Sequence, residues 1–235
     1  MCLLIVAALS GCATNPVTKQ SEFMVYSEDQ EISIGKEYNP QVCAEYGVYN
    51  DKKIADYVNL VGQKVAAVSD RPDLDYTFTV LDSPIINAFA VPGGYVYVTR
   101  GILDKLNSED ELAGVLGHEV GHVCARDGVR TMSSALGFNV LLIGASVLVN
   151  KEDFDTWAPW IQGGAQLAFL NYGRDAEFQA DELGSRYSVA AGYSPRGQTD
   201  VLRMLRHLGD TEAASLEELL ATHPSSASRV DRSRT

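Results

Sequence analysis

Apolar positions in the chain follow a helical period, then a period of two, then a helical period again. Ser27-Glu28-Asp29-Gln30 is a capping box that opens a helix toward Gly47, kinked near Pro40, and Asn50 is placed to cap a second helix with Ile54, Tyr57, Val58, Val61 and Val65 facing inward. Leu74, Tyr76, Phe78 and Val80 then alternate with polar residues. Ile85 to Val91 and Tyr95 to Thr99 flank a Pro92-Gly93-Gly94 turn, so a small sheet containing a hairpin is expected. Helical spacing returns from Ser108, with breaks at Gly128, near Asn150, around Asn171 to Gly173, and at Gly192 to Pro195. Strands grouped between helical blocks predict an α+β fold, and no repeat or linker divides residues 27–235, which read as a single domain.

Two apolar stretches need separate treatment. Ala135 to Val149 is shorter than the roughly 20 residues that span a bilayer, so a buried helix packed beside Trp157 to Leu170 is favoured over a membrane-dipping hairpin. The first twelve residues, MCLLIVAALSGC, are also too short to span and fit a signal peptide over residues 1–11. Leu9-Ser10-Gly11-Cys12 looks like a bacterial lipobox. Cleavage there would leave a lipid on Cys12, a tether over residues 12–26, and a protein on the periplasmic face of the cell envelope. Ala13, in place of an Asp, resembles outer-membrane lipoproteins. In an oxidising compartment Cys43 and Cys124 have the option of pairing.

Composition adds little beyond exclusions. A hydrophobic fraction of 46% over 235 residues supports one substantial core, and a net charge of -12 argues against a nucleic-acid surface, which needs clustered Lys and Arg.

The chemistry concentrates in one helix. Ser108-Glu109-Asp110-Glu111 is a second capping box, so a helix is expected from Glu109 to a C-terminal cap at Gly128. Inside it lies His118-Glu119-Val120-Gly121-His122. Residues four apart project about 40° from each other, so the two imidazoles can converge on one ion, with Glu119 beside them as the base for a water molecule. Cys124 points about 200° away from His122 and is a poor ligand. A catalytic zinc needs a third protein ligand and one open position. A third His is absent at Gly128, and Arg174-Asp175-Ala176-Glu177-Phe178-Gln179-Ala180-Asp181 is the best source. On a helix from Asp175 to Ala191, Glu177 and Asp181 share a face, as ligand and as partner of a ligand His; a solvated acidic face has the same spacing.

These segments, with Asn87-Ala88-Phe89-Ala90, Pro92-Gly93-Gly94 and Thr222-His223-Pro224, resemble the CAAX prenyl protease and HtpX class of zinc peptidases. Within it the lipobox and Asn15-Pro16-Val17-Thr18 are most similar to the periplasmic, lipoprotein-type branch of envelope proteases. The resemblance implies a mainly helical, zincin-like domain with one Zn²⁺ on His118, His122 and Glu177, and Glu119 as the catalytic base. It also implies that Asn87, Ala88, Phe89 and Ala90 form an edge strand to which an extended substrate adds, that His223 occupies the open position or stabilises the oxyanion, and that Arg174 orients acidic groups around the metal. The expected activity is endopeptidase cleavage of misfolded or misassembled envelope proteins. A zinc-bearing chaperone or assembly factor, and a membrane-embedded processor of lipidated peptides, remain rival readings.

Overall fold

The computed structural model describes residues 12–146, 172–211, 216–223 and 229. Its first element corrects the expected tether. Cys12–Thr14 (β1) and Ser21–Phe23 (β2) pair as an antiparallel hairpin, with Cys12 opposite Phe23. Asn15, fully buried, pins the hairpin to the body: its Oδ1 accepts from the Val17 and Thr18 amides at 2.8 and 3.2 Å, and its Nδ2 donates to the Ala125 carbonyl at 3.1 Å. Releasing a buried amide satisfied on both sides is costly, so this segment is part of the domain. The signal segment, residues 1–11, lies outside the described residues, as do Asn150 and the stretch Trp157 to Leu170.

The capping box at Ser27 forms in both directions with Gln30 and starts helix α1, Glu28–Tyr46, with Pro40 inside it. Helix α2, Lys52–Ala66, is capped by Asp51 and not by the expected Asn50; Asp51 Oδ1 accepts from the Lys53 and Ile54 amides at 2.9 and 3.2 Å. Either side chain has the chemistry for the role, and the position immediately before the first helical residue decides it.

Thr77–Leu81 (β3), Ala88–Val91 (β4) and Tyr95–Thr99 (β5) form a mixed sheet in the order β3-β5-β4, with β3 parallel and β4 antiparallel to β5. Gly93 and Gly94 turn the hairpin at φ 84° and 90°, a region in which a side chain would be strained. After the short helix α3, Arg100–Leu103, comes α4, Glu109–Ala125, whose residues from Glu111 onward are all buried.

Helix α4 does not continue to Gly128. Arg126 takes the left-handed conformation at φ 55° and α5, Asp127–Ser146, starts at once, leaving Gly128 inside its first turn. Specific contacts hold the conformation at this non-glycine residue: Arg126 Nε donates to Glu31 Oε2 at 2.7 Å and Nη2 to the Tyr26 carbonyl at 3.0 Å. Residues 147–149 of the apolar stretch lie outside the described residues, and Leu136 within it is 42% exposed. Among the described residues no helix is long and apolar enough to cross a membrane. Cys43 and Cys124 are both free thiols, and Cys124 is buried with its Sγ 3.5 Å from the Tyr76 hydroxyl.

Helices α6, Arg174–Ala190, α7, Arg196–Thr211, and α8, Glu217–Thr222, complete the described fold. The approach of α6 to α4 depends on missing side chains. A Cβ on Gly117 would sit 2.7 Å from the Gly184 carbonyl oxygen, one on Gly184 2.6 Å from the His118 nitrogen, and one on Gly121 3.1 Å from the Ala180 oxygen. Gly114 meets α7 in the same way, 2.8 Å from the Gln198 nitrogen. Gly184→Ala should therefore destabilise the domain by about 1–3 kcal/mol, whereas Gly173→Ala, where an added Cβ meets nothing within 4 Å, should change little. Urea unfolding of the two variants checks this.

Candidate active site

Helix α4 brings His118 and His122 onto one face, the glycine seam brings Glu177 in the first turn of α6 beside them, and the chain leaving α8 adds His223. All four are buried, and one ligand atom from each lies within 4.8 Å of the others. His118 Nε2 is 3.1 Å from His122 Nε2, 3.5 Å from Glu177 Oε2 and 3.4 Å from His223 Nδ1. Glu177 Oε1 is 3.3 Å from His122 Nε2 and 3.0 Å from His223 Nδ1. Zinc bonds of about 2.1 Å in a tetrahedron give edges of roughly 3.4 Å, so the nitrogen and oxygen donors match a zinc site in both spacing and kind.

A second layer sets the imidazole tautomers. His118 Nδ1 lies 3.0 Å from Asp181 Oδ1, and His122 Nδ1 lies 2.8 Å from Asp127 Oδ2. The His122 Nδ1–H therefore has a carboxylate acceptor in Asp127, and the Asp181 carboxylate stands beside His118 Nδ1, which favours the tautomers with the Nε2 lone pairs inward. Asp127 is itself paired with Arg130, which also reaches Glu22 of β2 at 3.2 Å. Tyr172 stacks on the His122 ring, with centroids 4.2 Å apart and planes at 25°. Glu119 is 2% exposed, its Oε2 is buried without a hydrogen-bond partner among the described residues, and its Oε1 lies 3.6 Å from His223 Nε2.

The other expected residues separate. Asp181 stands where the helical spacing puts it, but Arg174 is exposed at the start of α6, away from the role foreseen for it. Arg229 fills that role. Its Nη1 is 2.7 Å from Glu177 Oε2, and its Nε and Nη2 donate to the two Asp181 oxygens at 2.7 Å. Asn87 is buried just before β4, exchanging hydrogen bonds with Thr99, and Ala88, Phe89 and Ala90 lie on one of the two edge strands that the sheet has among the described residues, the one that packs against α4. Arg229, Asp127 and Tyr172 are not visible in the sequence pattern. The nearest signal for Arg229 is the pair of acids, Glu177 and Asp181, that would be buried together without a cation.

Electrostatics follow from this crowding. Burial works against charge on His118 and His122, yet the carboxylates of Asp181 and Glu177 beside the first, and of Asp127 and Glu177 beside the second, favour the protonated rings and raise both proton affinities, that of His122 to about 10. Burial likewise opposes ionisation of Glu177 and Asp181, and the surrounding imidazoles and Arg229 prevail, holding both well below the usual carboxylate range. Burial raises the Tyr172 phenol, keeping it neutral. A divalent ion must therefore displace protons from the imidazoles. Below about pH 10 the proton on His122 competes, so apparent zinc affinity should rise as pH rises, about tenfold per unit for each proton released. Chelator competition between pH 6 and 8, with calorimetry in buffers of different ionisation enthalpy, measures both the slope and the released protons.

Residues 52–235 match the family model described as Peptidase family M48. The mitochondrial metalloendopeptidase OMA1 of Arabidopsis thaliana is 28% identical over 219 residues, which is 93% of this chain and 42% of that protein. The beta-barrel assembly-enhancing protease of Yersinia pestis is 27% identical over 214 residues, covering 88% and 44%. The putative beta-barrel assembly-enhancing protease of Vibrio cholerae is 30% identical over 219 residues, again covering 88% and 44%. The chain spans less than half the length of these three relatives. With the match running from α2 through the helices that carry His118, His122 and Glu177, the chain belongs to peptidase family M48, a family of metal-dependent peptidases.

Proposed function

We propose that this domain is a zinc metalloendopeptidase of the bacterial cell envelope, with His118, His122 and Glu177 holding one Zn²⁺ and Glu119 serving as general base and acid. The observation that carries the reading is the buried tetrahedral spacing of those ligands beside a carboxylate oxygen, Glu119 Oε2, that has no hydrogen-bond partner among the described residues. Bound there, zinc supplies positive charge that polarises a peptide carbonyl and acidifies water. Glu119 takes the proton of the attacking water on Oε2 and delivers it to the departing amine. Asp181 and Asp127 keep the imidazole lone pairs turned inward, and Arg229 keeps Glu177 and Asp181 ionised and fixed. Outermost in its sheet, β4 is placed to accept an extended substrate by main-chain hydrogen bonds, a mode that tolerates many sequences.

Substrates are unfolded or misassembled envelope polypeptides, reached from a lipid anchor on Cys12 in the outer membrane. This is supported by the lipobox-like segment and by the names of the relatives from Yersinia pestis and Vibrio cholerae. His223 supports a second reading, a zinc-bearing assembly factor that cuts rarely. Its Nδ1 stands among the ligand atoms, where it would complete the coordination and keep the site closed until substrate displaces it.

The test compares the full chain with Glu119→Gln, Glu177→Ala and His223→Ala, measuring zinc content and hydrolysis of unfolded casein. Glu119→Gln should keep zinc and lose at least about a hundredfold in rate. Glu177→Ala should lose zinc, and His223→Ala should keep zinc and cut faster. Zinc retained by all with no cleavage by any would reject Glu177 as a ligand and favour the assembly factor.

A further inference from the structure

The orientation of His122 is traceable to the N-terminal hairpin. Its Nδ1 donates to Asp127 Oδ2 at 2.8 Å, and the other Asp127 oxygen, Oδ1, pairs with Arg130 Nη2. Asp127 is buried, so its carboxylate takes its orientation from these partners and not from water. Arg130 Nη1 then reaches Glu22 Oε2 of β2 at 3.2 Å, across 108 residues of sequence. Glu22 is itself held in place: its Oε1 accepts from Asn15 Nδ2 at 2.9 Å and from Thr18 Oγ1 at 3.1 Å. Asn15 also donates to the Ala125 carbonyl at the end of α4. The hairpin is thus fastened to the histidine-bearing helix at one point and, through Arg130, to the carboxylate that holds His122 at another.

An ion pair on an open surface does little, and Arg100 with Asp82 is of that kind, with side chains 36% and 51% exposed. Arg130 and Glu22 are 33% and 18% exposed, and behind them stands a candidate metal ligand. Groups that orient a ligand from outside set metal affinity over about tenfold to a hundredfold. Resting on the zinc reading above, we propose that Glu22 and Arg130 are positioning residues of the metal centre: they hold Asp127 at the angle that keeps His122 Nε2 directed at the ion. Neither residue touches the ion or the substrate. When the pair is lost, Asp127 is free to rotate, His122 loses its fixed orientation, and zinc leaves more readily. The hairpin that begins at Cys12 therefore serves zinc retention as well as attachment, and a domain separated from it binds zinc less tightly even where it stays folded.

Glu22→Gln isolates the link. Its carbonyl oxygen still accepts from Asn15 and Thr18, whereas its amide group, turned to Arg130, sets donor against donor. The hairpin stays closed and only the contact with Arg130 is broken. Zinc dissociation constants of the full chain are measured by chelator competition for wild type, Glu22→Gln, Arg130→Met and the double variant, with Arg100→Met as control. Circular dichroism verifies that each metal-free protein is folded under the conditions used. Arg130→Met should weaken zinc by about tenfold to a hundredfold, Glu22→Gln by roughly threefold to tenfold, and Arg100→Met should match wild type. The double variant should be no weaker than Arg130→Met alone, because Glu22 acts through Arg130. With Co²⁺ in place of zinc, Glu22→Gln should alter the visible bands and Arg100→Met should not. Unchanged affinity and unchanged bands in Glu22→Gln overturn the proposal, and so do losses that multiply in the double variant. If Arg130→Met does not fold, the comparison of Glu22→Gln with Arg100→Met decides. Hydrolysis of unfolded casein by wild type keeps the two levels apart: cleavage with zinc indifferent to Glu22→Gln rejects the positioning role and leaves the peptidase reading standing. Weakened zinc in Glu22→Gln, with no cleavage by wild type, supports the positioning role and rejects the peptidase reading.

Discussion

Everything at the candidate site depends on how closely two helix backbones can approach. The His-Glu-x-x-His segment supplies two ligands from α4, but a third from α6 can reach them only if that helix lies almost against it. Gly117 and Gly121 on one side and Gly184 and Ala180 on the other remove the side chains that would hold the helices apart. A glycine in a helix costs about 1 kcal/mol relative to alanine. Three such residues are therefore retained in the most buried layer of the molecule at the expense of helix stability, and the compensation is contact between the ligand-bearing surfaces.

Closeness creates an electrostatic problem that the surroundings solve. Burying Glu177, Asp181, Asp127 and Glu119 near one another would be prohibitive without cations and hydrogen-bond donors. Imidazoles occupy the centre, Arg229 clamps two of the acids from one side, and Arg130 takes the third from the other. Since Arg130 also pairs with Glu22, the N-terminal hairpin belongs to the same charge network. Glu31 plays the equivalent part beneath α4, bound to both Arg71 and Arg126, and so supports the left-handed residue that ends the helix. The site is thus a balanced buried array, in which Glu119 Oε2 has no hydrogen-bond partner among the described residues.

What the sequence discloses depends on whether the information is local. His118 and His122 are readable because both sit on one helix at helical spacing, and the sheet is readable because alternation and the Pro92-Gly93-Gly94 turn are local. Glu177 is ambiguous from spacing alone, since a solvated acidic face looks the same until its burial is known. Arg229 lies 48 residues from Asp181 and carries no periodic signal, whereas Arg174 stands next to the acids in the chain and yet is exposed at the start of α6. Arg126 hides the helix end because glycine is the usual residue at a left-handed cap, and the nearby Gly128 draws the boundary past it. Asn15 is misread for a related reason: a polar stretch reads as solvated tether unless its contact with Ala125 is seen.

That contact governs reach. A flexible tether would let a lipidated domain sweep a volume set by its length. With Asn15 held against the end of the histidine-bearing helix, only two residues, Ala13 and Thr14, separate the pinned position from Cys12, about 10 Å of extended chain. An acyl group at Cys12 would then set both the height and the tilt of the domain above the bilayer. The enzyme would patrol a thin layer of periplasm next to the membrane, and a client would have to be presented within that layer.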